Sequence, residues 1–168
     1  MGEMTNKYLQ EAFSGESQAR NKYTAFAEKA EKEGKSNIAR LFKAIGFAEL
    51  VHAKKHLEAL GKIGSTSENL QAAIDGENFE HEDMYPAYKA IAEIENEPGA
   101  ERAFELAMKA EKVHEDLYSD AKDTVDKTGE DIDAEAIEVC PVCGYTQIDK
   151  EVENCPVCGV PADRFLPF

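Results

Sequence analysis

Two short motifs in this chain place a carboxylate three residues before an imidazole. They are AELVH at 48–52 and AEKVH at 110–114. Because positions i and i+3 lie on one face of an α-helix, the two side chains of each motif can bind one cation together. A single Glu-x-x-His is weak evidence, since Glu and His often fall three apart by chance. Two copies at matching positions of a repeat are much stronger evidence for a metal site.

The chain contains such a repeat. A shift of 62 positions aligns Tyr23 with Tyr85 and superposes the two Glu-x-x-His motifs. Ahead of these tyrosines the repeat is offset by one residue, because GES at 15–17 matches GEN at 76–78. The extra residue predicts a π-bulge in the third helix, a distortion that is frequent at functional sites. The pattern indicates a helical hairpin that has been duplicated.

Four long helices are predicted to position these motifs. Gly34 and Gly61 can end the first two, Ser36 can cap the second, and Pro98 suits the first turn of the fourth. The predicted helices span 5–33, 36–60, 69–96 and 98–127. Two antiparallel hairpins joined by a longer crossover make an all-α four-helix bundle. The acidic residues 128–139 lack a helical stripe and are predicted to be a flexible linker.

Carboxylates from all four helices can meet at one level. Glu16 and Glu49 lie at similar distances along their helices from the turn that joins the first two helices. Glu80 and Glu111 do the same about the turn that joins the last two. In each pair the two distances differ by no more than roughly one helical turn. Burying these charges without cations would be costly, and two divalent ions would remove the cost. One Glu from each of two helices plus Glu-x-x-His from the other two is the arrangement of di-iron and di-manganese carboxylate proteins. The candidate ligands are Glu16, Glu49, His52, Glu77, Glu80, Glu111 and His114.

The stretch GENFEHEDMYP at 76–86 carries more carboxylates than the repeat requires. Glu80 aligns with uncharged residues of the first repeat, so it is either a seventh ligand or a surface charge. Glu82 and Asp83 point elsewhere on the helix and are predicted to face solvent. His81 has no counterpart in the repeat and is predicted to be a surface residue.

Two tyrosines lie on the same side of the helices as the candidate ligands. Tyr23 and Tyr85 follow Glu16 and Glu77 by about two helical turns. A buried phenol needs a polar partner, so hydrogen bonds to the ligand carboxylates are predicted. Ordinary core tyrosines with solvated hydroxyls are the alternative.

The C-terminal segment holds all four cysteines in two CPVCG sequences, at 140–144 and 155–159. Each can fold as a tight knuckle, so that four thiolates meet around one metal ion. Zinc and iron share this tetrahedral geometry, and the spacing does not choose between them. Residues 135–168 are too few to form a core alone, so this small domain is expected to need its metal to fold. The predicted ligands are Cys140, Cys143, Cys155 and Cys158.

Composition limits the partners. The chain has 168 residues, a net charge of −15 and 42% apolar residues, which is typical of an acidic globular protein. Nucleic acids and anionic membranes require basic patches, so neither is an expected partner. No apolar run is long enough to cross a bilayer, and the first residues lack the features of a signal peptide. We therefore expect a cytoplasmic, reducing location.

Together these motifs resemble those of the rubrerythrin family over nearly the whole chain. GESQARNKY at 15–23, GENFEHEDMYP at 76–86 and the two Glu-x-x-His motifs are similar to the family's di-iron motifs. The paired CPVCG sequences are similar to its rubredoxin-like ending. The resemblance implies a ferritin-like bundle over residues 1–134 and a rubredoxin-like domain over 135–168.

The resemblance also implies a peroxidase that reduces hydrogen peroxide to water in defence against oxidative stress. The seven candidate ligands would hold two irons, with Glu49 and Glu111 as bridges and one iron exchanging Glu80 for His52 as its oxidation state changes. An Fe(Cys)4 site would relay electrons from a NAD(P)H-dependent flavoprotein reductase or a rubredoxin. Family members are homodimers or higher homo-oligomers, in which the four-cysteine site of one subunit serves the bundle of another.

Two other functions fit parts of the pattern. A ferritin-like ferroxidase or iron-handling protein would oxidise ferrous iron with oxygen and carry a structural zinc ribbon. A helical bundle without activity would use the ribbon to dock a partner, but its carboxylates would then face solvent.

Overall fold

A computed structural model describes all 168 residues, which form two compact units, Met1–Gly64 and Ser65–Phe168. The first unit is a helical hairpin of α1 (Glu3–Lys32) and α2 (Ser36–Ala59). Both helices agree with the predicted spans within two residues. Gly34 in the turn has a φ of +71°, a left-handed conformation that glycine adopts without strain. The predicted stop at this glycine is confirmed.

The second unit contains the remaining helices. They are α3 (Thr66–Phe79), a π-helical segment (Glu80–Met84), α4 (Tyr85–Glu95) and α5 (Pro98–Thr128). Pro98 lies in the first turn of α5, as predicted, where its missing N–H has no helical partner to lose. No helix of the chain is both long enough and apolar enough to cross a membrane.

Two helix starts differ from the predictions. Ser36 is the first residue of α2, and the residue that precedes it, Lys35, makes no side-chain cap bond. Helix α3 begins at Thr66 instead of residue 69 because Ser65 and Glu68 form a capping box. The Glu68 amide donates to Ser65 Oγ at 3.3 Å, and the Ser65 amide donates to the Glu68 carboxylate at 2.7 Å. The Ser-x-x-Glu pattern in this stretch was a start signal that the prediction overlooked.

The π segment confirms the predicted bulge and explains the offset of the repeat. Seven positions separate Glu16 from Tyr23, but eight separate Glu77 from Tyr85. Each α-helical residue turns the chain by about 100°, so an uninterrupted helix would rotate Tyr85 by that angle away from the equivalent face. The wider π turn absorbs the additional residue and keeps both side chains on one face.

Aromatic packing shows how closely the two hairpins repeat each other. The Tyr23 and Phe42 rings lie 6.1 Å apart at 36°. The equivalent Tyr85 and Phe104 rings lie 6.1 Å apart at 37°. The inferred duplication is therefore present in the packing of each hairpin as well as in the sequence.

The C-terminal part of the second unit is a small β module. Strands β1 (Ile137–Val139), β2 (Thr146–Ile148) and β3 (Leu166–Pro167) form an antiparallel sheet in the order β2-β1-β3. The predicted linker 128–139 was wrong at both ends. Its first residue belongs to α5, and its last three residues form β1. The core of the module consists of Cys140, Tyr145, Cys155 and Phe165.

Candidate metal centres

The first hairpin brings together three candidate ligands. Glu16 lies on α1, and Glu49 and His52 lie on α2, with one ligand atom from each within 4.8 Å of the others. His52 Nδ1 lies 3.1 Å from Glu49 Oε2 and 3.8 Å from Glu16 Oε1. A hydrogen bond with Glu49, then desolvation and the charge of Glu49, raise the pKa of Glu16. We call these three residues the first triad.

The second unit repeats this arrangement. One ligand atom each from Glu77, Glu111 and His114 lies within 4.8 Å of the others. His114 Nδ1 lies 2.7 Å from Glu111 Oε2 and 3.7 Å from Glu77 Oε2. Burial, followed by the charge of Glu111, raises the pKa of Glu77 to about 7. These residues form the second triad, and its distances match those of the first to within about half an ångström.

Glu80 lies beside the second triad without belonging to its closest group of atoms. Burial raises the pKa of Glu80, and so does the charge of Glu111, while His114 acts in the opposite direction. Glu80 is partly buried, and its carboxylate lies within the electric field of the second triad. A fully solvated surface charge would not be expected to show either property. Glu82 and Asp83 are exposed, as predicted.

The donor set of each triad fits iron or manganese. Two carboxylates and one imidazole supply the oxygen and nitrogen ligands that these ions accept. Ligand atoms of the two carboxylates in each triad lie within 4.8 Å of each other, so like charges are held together in both triads. A divalent cation would replace the protons that otherwise relieve this repulsion.

Tyr23 and Tyr85 each pack against a phenylalanine of their own hairpin. Neither Tyr23 nor Tyr85 makes a hydrogen bond to a carboxylate of its own hairpin, so the predicted bonds are not formed there. Burial raises the pKa of Tyr85, and the charges of Glu111, Glu80 and Glu77 add to this effect. Its phenol therefore stays protonated at neutral pH within the field of the second triad.

The second nitrogen of His114 contacts the β module. His114 Nε2 lies 2.9 Å from the carbonyl oxygen of Gly144 and 3.1 Å from Thr146 Oγ1. A hydrogen bond from this nitrogen leaves Nδ1 as the atom that can bind a metal ion. Gly144 directly follows Cys143, so one hydrogen bond joins a candidate ligand of the second triad to a cysteine knuckle. This contact was absent from the predictions.

Replacing Thr146 with valine is expected to weaken metal binding at the second triad by about tenfold. Valine keeps the shape but removes the oxygen that helps to orient His114. Anaerobic titration with ferrous iron would measure the affinity, and ¹⁵N NMR would report the tautomer of His114. The control is Thr24→Val, because Thr24 bonds only to a carbonyl of its own helix. An unchanged affinity together with an unchanged tautomer would show that Thr146 does not orient the ring.

The four cysteines meet as a set of free thiols. Their sulfurs all lie within 4.8 Å of one another, and the Cys140–Cys158 and Cys143–Cys155 pairs are each 3.6 Å apart. Four metal–sulfur bonds of about 2.3 Å in a tetrahedron would place the sulfurs about 3.8 Å apart. The site therefore fits zinc or iron with little adjustment.

Two equivalent knuckles hold these sulfurs. The Gly144 amide donates to the Cys140 carbonyl at 3.0 Å, and the Gly159 amide donates to the Cys155 carbonyl at 2.8 Å. The two glycines have φ values of +80° and +77°, which other residues adopt only with strain. Burial acts to raise the pKa of the Cys140 thiol, but backbone amides donate to the sulfur and hold its pKa below the usual value.

One polar pair near the second triad was missed by the sequence analysis. His81 was predicted to lie on the surface, but it is only 8% exposed, because its ring is held by Glu115. The repeat contained a usable signal, since Glu115 aligns with Ala53 of the first hairpin. A charged residue that replaces an alanine in a duplicated helix indicates a contact specific to one copy.

Comparison with known proteins identifies the family of this chain. Residues 7–122 match the family described as Rubrerythrin, and residues 134–166 match the rubredoxin-like domain of rubrerythrin. The chain belongs to the rubrerythrin family. It therefore has the ferritin-like four-helix-bundle fold with a small four-cysteine module at its C-terminal end.

Rubrerythrin relatives cover most of the chain. It is 42% identical to Rubrerythrin-2 of Clostridium acetobutylicum, over 72% of this chain and 73% of that protein. It is 36% identical to Nigerythrin of Nitratidesulfovibrio vulgaris, over 73% of this chain and 67% of that protein. A solved structure of nigerythrin in its fully reduced, all-ferrous state matches with a TM-score of 0.59 and 34% identity, covering all of this chain and 88% of that one.

Proposed function

We propose that this rubrerythrin is a non-haem di-iron peroxidase that reduces hydrogen peroxide to water with electrons relayed through an Fe(Cys)4 site. The observation that carries the proposal is the hydrogen bond from His114 to Gly144. It joins a candidate metal-binding triad to a knuckle of the four-cysteine site, so the two sites lie next to each other, as a relay of electrons between them would need. Membership of the family and the chemistry of the two donor sets support the same function.

The two triads and Glu80 would together hold two irons. Glu49 and Glu111 would be among the ligands that hold them, since each carboxylate lies against the histidine of its own motif. Two ferrous ions, when bound, supply the two electrons that cleave the O–O bond. The chain's part is to hold the carboxylates close together. Tyr85 keeps its proton near the triad, where it can donate a hydrogen bond to an oxygen of the substrate.

The electrons would reach the second triad through a short path in this chain. Covalent bonds lead from Cys143 to the Gly144 carbonyl, and one 2.9 Å hydrogen bond leads from there to the His114 ring. The resemblance implies a relay between subunits, whereas this contact lies within one unit of one chain. We propose that the chain uses its own four-cysteine site, supplied by a NAD(P)H-dependent flavoprotein reductase or a rubredoxin.

We also propose a homodimer or higher homo-oligomer in a reducing, cytoplasmic location. Ile38, Leu41 and Ile45 form a stripe on α2 and are each at least 41% exposed. Such exposed apolar rows mark association surfaces. The four free thiols support a reducing compartment. Light scattering of the purified protein would measure the size of the oligomer.

The test compares peroxide with oxygen as the oxidant. Full-length protein from its native source would first be analysed for metals, because ferric Fe(Cys)4 is red and zinc is colourless. The iron-loaded protein, supplied with NADH and a reductase, is expected to consume peroxide much faster than oxygen. A colourless zinc site, together with rapid oxidation of ferrous iron by oxygen, would instead favour the ferroxidase function.

A further inference from the structure

Glu115 collects hydrogen bonds from both sides of the start of the π segment. Asn78 Nδ2 donates to Glu115 Oε1 at 3.1 Å, and His81 Nε2 donates to Glu115 Oε2 at 2.6 Å. Asn78 directly follows Glu77, and His81 directly follows Glu80. The Glu115 carboxylate on α5 therefore bonds to the residue that follows Glu77 and to the residue that follows Glu80.

The contact between His81 and Glu115 is largely buried. The side chains of His81 and Glu115 are only 7% and 15% exposed. Lys112 Nζ also donates to Glu115 Oε2 at 2.9 Å, so the Glu115 carboxylate accepts hydrogen bonds from three side chains. Removing one partner of a buried, hydrogen-bonded charge is strongly unfavourable, because the other partner is left without compensation.

The first hairpin provides an internal comparison. Ala53 occupies the position of Glu115, and uncharged residues occupy the position of Glu80. Helix α1 runs without a π turn through the region equivalent to α3 and the π segment. Glu115, the π segment and Glu80 thus occur together in the second repeat, and none of them has a counterpart in the first.

We propose that Glu115 is a positioning residue that clamps the π segment through Asn78 and His81 and so keeps Glu80 directed at the second triad. A π turn is less favourable than an α-helical turn and is rare without a specific reason. Return to an α-helix would rotate Glu80 relative to α4 by about 100°. The inference rests on the proposed function only in treating Glu80 as a ligand; the clamp itself is independent of the reaction.

Hydrogen exchange tests the clamp without using activity. In the full-length protein, Glu115→Ala is expected to accelerate exchange of the amides of residues 80–85 by about tenfold or more. The matched control is Asp116→Ala, since Asp116 is also on α5 and also bonds to Lys112, but its side chain is 64% exposed. His81→Phe is the second variant, because it removes the donor while a ring still fills the site. Glu115→Gln, which keeps an acceptor, is expected to restore part of the protection.

A double-mutant cycle tests whether Glu115 acts through Glu80. Glu115→Ala is expected to weaken ferrous iron binding at the second triad by about tenfold in anaerobic titrations. The same change should have no further effect in a Glu80→Ala background, because the ligand that it positions is then absent.

Either of two results would overturn the inference. One is unchanged exchange at residues 80–85 in both Glu115→Ala and His81→Phe, and the other is an equal loss of iron affinity with and without Glu80. Failure of the wild-type protein to reduce peroxide would contradict the proposed function but would not affect these measurements.

Discussion

Changing Glu49 and Glu111 together to alanine is expected to reduce peroxide turnover by about a thousandfold or more. Each carboxylate belongs to one triad, bonds to the histidine of its own motif, and is a proposed iron ligand. A metal ion contributes several kcal/mol of stabilisation to the reaction, and each 1.36 kcal/mol corresponds to about a factor of ten in rate. Metal analysis should find that iron remains only in the four-cysteine site. Steady-state peroxide consumption with a reductase measures the loss.

The control for this variant changes two exposed glutamates on the same helices. Glu58 and Glu105 each bond to a surface lysine, and such pairs contribute little to stability. The Glu58→Ala, Glu105→Ala variant should keep its iron content and its turnover. If the Glu49 and Glu111 variant binds iron and consumes peroxide as well as this control does, the triads are not the site of the reaction.

Removing the metal from the four-cysteine site is expected to unfold the β module while the helices remain. Two of its four core residues are cysteines, so the metal-free module would hold four thiols in place of a packed centre. The metal supplies the folding free energy of such small domains. Hydrogen exchange should show lost protection at β1 and β2, and circular dichroism should show that the helical signal is retained.

Zinc substitution separates the structural role of this site from its electron-transfer role. Protein with zinc bound by the four cysteines and iron in the triads is expected to keep the protected β module. After chemical reduction, its di-iron site should still be oxidised by a single addition of peroxide. Turnover with the reductase should stop, because zinc carries no electron. Full reductase-driven turnover by the zinc protein would show that electrons bypass the four-cysteine site.

Much of the fold and the site could be predicted because the evidence was local or repeated. Glu-x-x-His spacing fixes a shared helix face, and the offset between Glu16–Tyr23 and Glu77–Tyr85 required an additional residue to be absorbed. The CPVCG sequences determine their own knuckles through glycine and short-range hydrogen bonds. Short-range patterns made the helices and the cysteine knuckles foreseeable, and the repeat made the π segment and the two triads foreseeable.

The contacts that the prediction missed join residues far apart in sequence. His81 lies 34 residues from Glu115, and His114 lies 30 residues from Gly144. Neither pair follows from helical periodicity, because each depends on how separate elements pack. The short strands β1 and β2 were missed for a similar reason, since three-residue strands carry too little alternation to be recognised.

The central claim is that peroxide is reduced at the triads with electrons from the iron of the four-cysteine site, and a single-turnover experiment tests it most directly. Anaerobically reduced, iron-loaded, full-length protein would be mixed rapidly with excess hydrogen peroxide or with excess oxygen, while the red colour of ferric Fe(Cys)4 is followed. We predict rapid oxidation by peroxide at the di-iron site, then a rise of the red colour as the cysteine-bound iron gives up its electron, with oxygen much slower. Oxidation by oxygen at the rate seen with peroxide, or a cysteine-bound iron that stays ferrous after excess peroxide, would contradict the account.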